Sequence, residues 1–187
     1  MHDHFADKHW WDHGALTVVV EAYPGASTDE LAALHRAVDQ WDSVLRACLG
    51  GQVSLTRVHS RREADIVVHF EARAGGANFS GRAKCRKGAC QNVIVSGQGP
   101  SGLGFQPVGL SGIYHTAMHE IGHALGLGHA TNLSQSEDLM GYGWMIRRTE
   151  PVLSQCDVDA LAHVWAWALR GTNPTPPAPG PYNCSGA

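Results

Sequence analysis

Hydrophobic residues along this chain alternate between two periods. Residues 15–21 read ALTVVVE, a continuous apolar run of strand length that stops at Pro24-Gly25, as a strand buried on both faces does. Ser27 followed three residues later by Glu30 is a capping-box pattern. From there Leu31, Leu34, Val38, Trp41, Leu45 and Cys48 recur at helical spacing, which predicts an amphipathic helix ending before Gly50-Gly51. Residues 52–58 and 65–70 (DIVVHF) predict two more strands. The order β-α-β-β favours a sheet with a crossover helix packed on it.

Further on the pattern changes. Residues 74–111 are Gly-rich, with strands predicted at 77–84 and 91–96 on either side of the Cys85 to Cys90 turn. A helix is expected from about Ser111 to Leu125, stopped at Gly126. Residues 130–153 have no clear period. Ser154 or Asp157 caps a last helix running through Arg170, with Val158, Leu161, Trp165, Ala168 and Leu169 on its buried face and Gly171 as the stop. Trp41 and Trp165 read as core. The implied organisation is a mobile His-rich segment at 1–14, one folded domain at 15–171 and a Pro-rich tail or linker at 172–187. The fold class is α+β, with an α/β-type N-terminal part. The sequence contains no internal repeat.

Composition narrows the function. A chain of 187 residues fits one domain plus a tail and buries a sizeable core without needing a metal to hold it together. With 14 basic and 17 acidic residues and a net charge of −3, no electrostatic argument favours nucleic acid or an anionic membrane. No apolar stretch reaches the roughly 18 to 20 residues that span a bilayer. The polar N-terminus has no signal-peptide core, so the chain reads as a mature form with an added Met1 or as a protein kept inside the cell. The five cysteines (Cys48, Cys85, Cys90, Cys156, Cys184) contain no CxxC pair, which argues against a cysteine-only zinc site. Cys85 and Cys90 flank the turn-like RKGA, suggesting a short disulfide and a secreted or extracellular location. The odd count leaves at least one thiol free or paired between chains. Twelve histidines are the one oddity, although His2, His4, His9 and His13 read as a solvated segment.

The informative segment is HEIGHALGLGH, from His119 to His129. Residues four apart on a helix share a face, so His119 and His123 can aim two imidazole nitrogens at one zinc ion. Gly126 falls where a left-handed residue ends the helix and reverses the chain. His129, three residues further, can then return as third ligand. Three neutral nitrogens with an open fourth position suit a catalytic zinc. Glu120, next to the first ligand, is placed to act as general base on water. The bland reading, a helix whose histidines face solvent or bond in the core, leaves the glycine and the third histidine unexplained. His115, one turn before His119, is either a further ligand or a partly exposed polar residue near the cleft, and the open position favours the second.

The long motif resembles that of the metzincin clan of zinc metallopeptidases, and HEIGHALGLGH is most similar to its matrixin and serralysin-type members. Leu139-Met140-Gly141-Tyr142 resembles the clan's turn that carries a methionine beneath the zinc. LSQCDVDAL and ADIVVHF resemble the start of the matrixin C-terminal helix and the matrixin third strand. The resemblance implies a zincin fold: a twisted, mostly parallel sheet with two long helices, one of them carrying the active site, and a small C-terminal subdomain ending in a helix. It implies that Met140 underlies the site. It also implies that Tyr142 stands where astacin- and serralysin-type members place a tyrosine near the zinc. Three features depart from the pattern. Gly141-Tyr142-Gly143, directly after Met140, lacks the Pro-containing wall usual in matrixins, residues 74–111 hold no histidine for a second zinc, and no Gly/Asp repeat follows the domain. Calcium dependence is possible but not readable.

These features together predict a zinc endopeptidase, a monomer acting on protein or peptide chains bound extended along an edge strand at 77–84 or 91–96. A zinc-binding recognition module without turnover and a hydrolase of non-peptide amides are the alternatives. The retained Glu120 speaks against the first. Cys184 can either hold the zinc as a latency thiolate or pair with Cys156 or Cys48.

Overall fold

The computed structural model describes residues 2–4, 10–73, 80–85, 91–101, 104–129, 138–141, 151–175 and 180–182. In chain order its elements are strands β1 (His2–His4) and β2 (Ala15–Ala22), helix α1 (Thr28–Cys48), strands β3 (Ser54–Arg57), β4 (Ile66–Glu71), β5 (Gly81–Lys84), β6 (Asn92–Ser96), β7 (Gln98–Ser101) and β8 (Gly104–Pro107), helices α2 (Gly109–Ala124), α3 (Gln155–Val164) and α4 (Ala166–Leu169), and strand β9 (Gly180–Tyr182). Five strands form one sheet in the order β3-β2-β4-β6-β5. All neighbours in it are parallel except β5, which runs antiparallel to β6 at the sheet's end. The fold is therefore mixed α/β with a mainly parallel sheet, as expected.

The capping box forms as the sequence predicts. The Glu30 amide donates to Ser27 Oγ at 3.2 Å, and the Ser27 amide donates to Glu30 Oε2 at 2.7 Å. Such a box satisfies two of the amides that a helix start leaves without partners. α1 then buries Leu34, Val38, Trp41 and Leu45 against the sheet residues Val18, Val68, Val93 and Val95 and against α2. Trp41 is fully buried, and its indole N–H donates to Met118 O at 2.8 Å, which ties the two long helices together. This backing layer holds α2 in place against the sheet.

Several expectations change. The apolar face of α1 ends at Leu45 and Leu49, while Cys48 is exposed with a free thiol. Cys85 and Cys156 each take part in a disulfide; Cys90 and Cys184 lie outside the described residues. The Gly-rich stretch holds an unpredicted hairpin, β7 with β8. α2 begins at Gly109, a left-handed residue with φ +71°, two residues before Ser111.

The last helix is capped by Ser154, with Asp157 as its box partner. It breaks at Trp165, whose ring is buried and whose indole donates to Leu125 O at 3.1 Å. Past the break Ala168 is buried but Leu169 is exposed. β1 and β9 pair antiparallel, joining the two ends of the chain. Neither segment has the apolar alternation that signals a strand, so the sequence pattern does not disclose this pairing.

Candidate metal centre

α2 is the scaffold of the site. Its buried residues include Met118, His119, Glu120, Ile121 and Gly122 in sequence, so this helix is enclosed on most of its surface. At its end Gly126 adopts φ +102°. There the Gly126 amide donates to His123 O and the Leu127 amide to Gly122 O, both at 3.0 Å. This is the left-handed termination that glycine permits without strain. A side chain at 126 would also strike Val164 Cγ1 at 2.7 Å. Two tryptophans take up carbonyls that the helix end leaves open: Trp11 donates to Ala124 O at 2.8 Å and Trp165 to Leu125 O. The reversal that returns His129 to α2 is therefore fixed from both sides.

The three histidines converge as the spacing predicts. His119 Nδ1 lies 2.8 Å from Leu139 O and His123 Nδ1 lies 2.7 Å from Leu127 O. A carbonyl only accepts, so each Nδ1 carries the proton and each Nε2 presents a lone pair. Yet His123 Nε2 lies 3.1 Å from His119 Nε2 and 3.0 Å from His129 Nε2. The facing lone pairs of His119 and His123 repel at that range unless a cation sits between them. A tetrahedral ion with metal–nitrogen bonds of about 2.0–2.1 Å separates its ligand nitrogens by about 3.3 Å, close to what is seen. Among the described residues, His119, His123 and His129 are the group able to hold a metal ion.

Burial sets the charge states. It depresses His119 well below the ordinary histidine value, helped by the neighbouring His123. It depresses His123 as well, and it lowers His129 to about 4 with His123 as the second cause. All three are thus neutral, the ligand form, at physiological pH. Glu120 moves the other way. Burial raises its carboxyl to about 8, against the opposing pull of the Ala83 amide and the Arg82 charge.

Met140 is fully buried under α2. A side-chain carbon on Gly122 would meet Met140 Sδ at 2.8 Å and Trp41 Cζ2 at 3.2 Å, so this glycine of the motif makes room for both. The turn that carries Met140 is pinned from several directions. Met140 N donates to Asp138 Oδ1 at 3.0 Å, Gly141 N to Asp138 O at 2.9 Å, Leu139 N to Val152 O at 2.8 Å, and Ser154 Oγ to Asp138 Oδ2 at 2.8 Å. Sequence reasoning missed Asp138, Gly122 and the carbonyls of Leu127 and Leu139. Only the glycine between the two helical histidines left a trace in the motif. His115 is half-buried, with Nδ1 3.3 Å from Ser111 Oγ, and stands outside the three-histidine group. Tyr142 lies outside the described residues.

Residues 21–130 match the family model for M12B reprolysin-like metallopeptidases, more than half of the chain. The chain belongs to this metallopeptidase family. The matched span runs from β2 through all three histidines, so the family assignment and the metal centre rest on the same segment. It stops before Met140 and the closing helix, on which the matrixin resemblance partly rests, and the matched model is reprolysin-like rather than matrixin or serralysin-type. Among solved structures this reprolysin-like chain is similar to archaemetzincin from Methanopyrus kandleri, at 20% identity and a TM-score of 0.46, over 80% of this chain and 94% of that one. No curated protein matches it in sequence. Among the described residues, no helix is long and apolar enough to cross a membrane.

Proposed function

We propose that this metallopeptidase is a zinc endopeptidase in which His119, His123 and His129 hold the metal and Glu120 is the general base. The convergence of three Nε2 atoms, two of them left with a lone pair because a backbone carbonyl takes the opposite ring nitrogen, is the observation that carries the reading. Neutral imidazoles in a three-nitrogen set suit zinc and leave a position open. A zinc ion held there supplies Lewis acidity toward a peptide carbonyl and toward water.

The remaining work falls to the chain. Glu120 accepts the proton of the attacking water and passes it to the departing amine. Without the metal, burial raises the Glu120 carboxyl to about 8; a zinc cation held beside it would favour the ionised form, which is the one that accepts a proton. β5, at the end of the sheet, receives an extended peptide as an added strand. Tyr142 donates a hydrogen bond to the carbonyl oxygen as it becomes tetrahedral. Tyr142→Phe is then expected to lower kcat by roughly 10²-fold or more with little change in KM, and an unchanged kcat would make it a pocket-wall residue instead.

Cys85 pairs with Cys90, and the chain works as a monomer in an oxidising, extracellular setting. The disulfide-bonded state of Cys85 and Cys156 supports that setting.

Elemental analysis tests the metal directly. One zinc per chain is expected, lost in His123→Ala and released as pH falls toward the depressed histidine values. Zinc held at full occupancy by His123→Ala would refute the ligand set.

A further inference from the structure

β5 bears on the base in a way that the motif alone does not disclose. Ser96 N donates to Ser80 O at 2.8 Å, and the register pairs Gly81 with Val95. Ser80 and Ser96 therefore form a hydrogen-bonded pair of the antiparallel ladder. Such pairs alternate along the strands, so Gly81 and Ala83 turn their N–H and C=O groups to the outer edge. One of these outward groups is already taken, because the Ala83 amide bonds the Glu120 carboxylate.

Gly81 sits beside that bond. A Cβ there would lie 2.5 Å from Thr116 Cγ2, 2.7 Å from Glu120 Cγ and 2.8 Å from Glu120 Oε1. Thr116 and Glu120 are buried, at 4% and 7% exposure, so neither has room to swing away. Gly81 is not among the left-handed glycines; its strand backbone suits any residue. What its neighbours require is the absence of a side chain.

We propose that Gly81 is a positioning residue for the base. By lacking a side chain it lets α2 approach the outer strand until Glu120 seats on the Ala83 amide. The base is thereby fixed to the same strand that receives the substrate, and a peptide laid along that edge arrives in register with it. The inference rests on the endopeptidase reading for its catalytic consequence, but its structural half stands without turnover.

The test uses the full chain, first metal-free and then zinc-loaded. In the metal-free protein the Ala83 amide, on an outer edge, owes its exchange protection to Glu120. Gly81→Ala is expected to speed its exchange about 10-fold or more while core-sheet amides such as Val93 stay protected. Glu120→Ala, which leaves residue 81 untouched, exposes the same amide and serves if Gly81→Ala folds poorly. Zinc-loaded Gly81→Ala keeps its metal and shows kcat reduced by roughly 10- to 100-fold, the scale of a misplaced catalytic group, with KM within about 3-fold. Adding Thr116→Ser, which deletes the nearest clashing methyl, recovers part of the loss. Wild-type Ala83 protection in both single variants, or a wild-type kcat in Gly81→Ala, overturns the proposal. A wild-type protein that cleaves nothing refutes the endopeptidase reading, and the exchange data then still decide the role of Gly81.

Discussion

His119 and His123 reach the metal centre because four residues of helix separate them, so their convergence follows from α2 alone. The turn at 138–141 reaches the same centre differently. Its conformation is set by bonds to Val152 O and from Ser154 Oγ, at the start of the C-terminal helix, and its contribution to the site is the Leu139 carbonyl on His119 Nδ1. The first region is written into one short stretch of sequence. The second exists only once the C-terminal helix has docked. The ligands are therefore local, whereas the groups that orient them depend on the completed fold.

Asp138→Ala is the sharpest way to separate the two regions. It leaves the three histidines and α2 intact but removes the acceptors for Met140 N and Ser154 Oγ. Each buried donor left without a partner costs about 1–3 kcal/mol. A loosened Leu139 carbonyl should weaken zinc binding by about 10- to 100-fold, the usual effect of losing a group that orients a ligand. Competition with a chromophoric chelator measures this. If stability falls while zinc affinity does not move, the turn is scaffold only and the contrast fails.

A smaller effect comes from Asp157. Burial first, and the neighbouring Asp138 carboxyl second, raise its pKa above the ordinary 3.8. Its Oδ1 is buried and, taken as a carboxylate oxygen, has no partner, which a retained proton shared with Asp138 would supply. Folding then holds a proton that the unfolded chain releases. The resulting stabilisation is fully present below about pH 4 and is lost as pH rises through the elevated value. The histidines of the centre act in the opposite sense: their depressed pKa values cost stability as pH falls below 6.5. Comparing wild type with Asp157→Asn in the metal-free protein isolates the first effect. Between pH 5 and 8 the wild type should lose more stability than the variant. Equal slopes would mean that Asp157 holds no extra proton.

Legibility in the sequence follows the same division. The box at Ser27 and Glu30, the apolar run of β2 and the histidine spacing were readable because each needs only a few consecutive residues. So was Gly126, whose left-handed φ is a local requirement. The β7–β8 hairpin was not, since a Gly-rich stretch carries no alternation to mark a strand. The break at Trp165 is tied to a carbonyl on α2, forty residues earlier, and no helical period reveals it. Cys48 continues the apolar spacing of α1, yet it is exposed while its neighbour Leu49 is buried, which spacing alone does not disclose. Gly81 and Gly122 look like ordinary flexibility until the contacts of Thr116, Glu120 and Met140 show that each is a matter of space.

Cleavage of a quenched fluorescent peptide library by the zinc-loaded chain tests the central claim most directly, run alongside a chelated sample and zinc-loaded Glu120→Ala. The account predicts cleavage that chelation abolishes and zinc restores, and a variant that keeps its metal but turns over at least about 10²-fold more slowly. Zinc-loaded protein that cleaves no peptide, or cleavage that survives either chelation or the loss of Glu120, would contradict it.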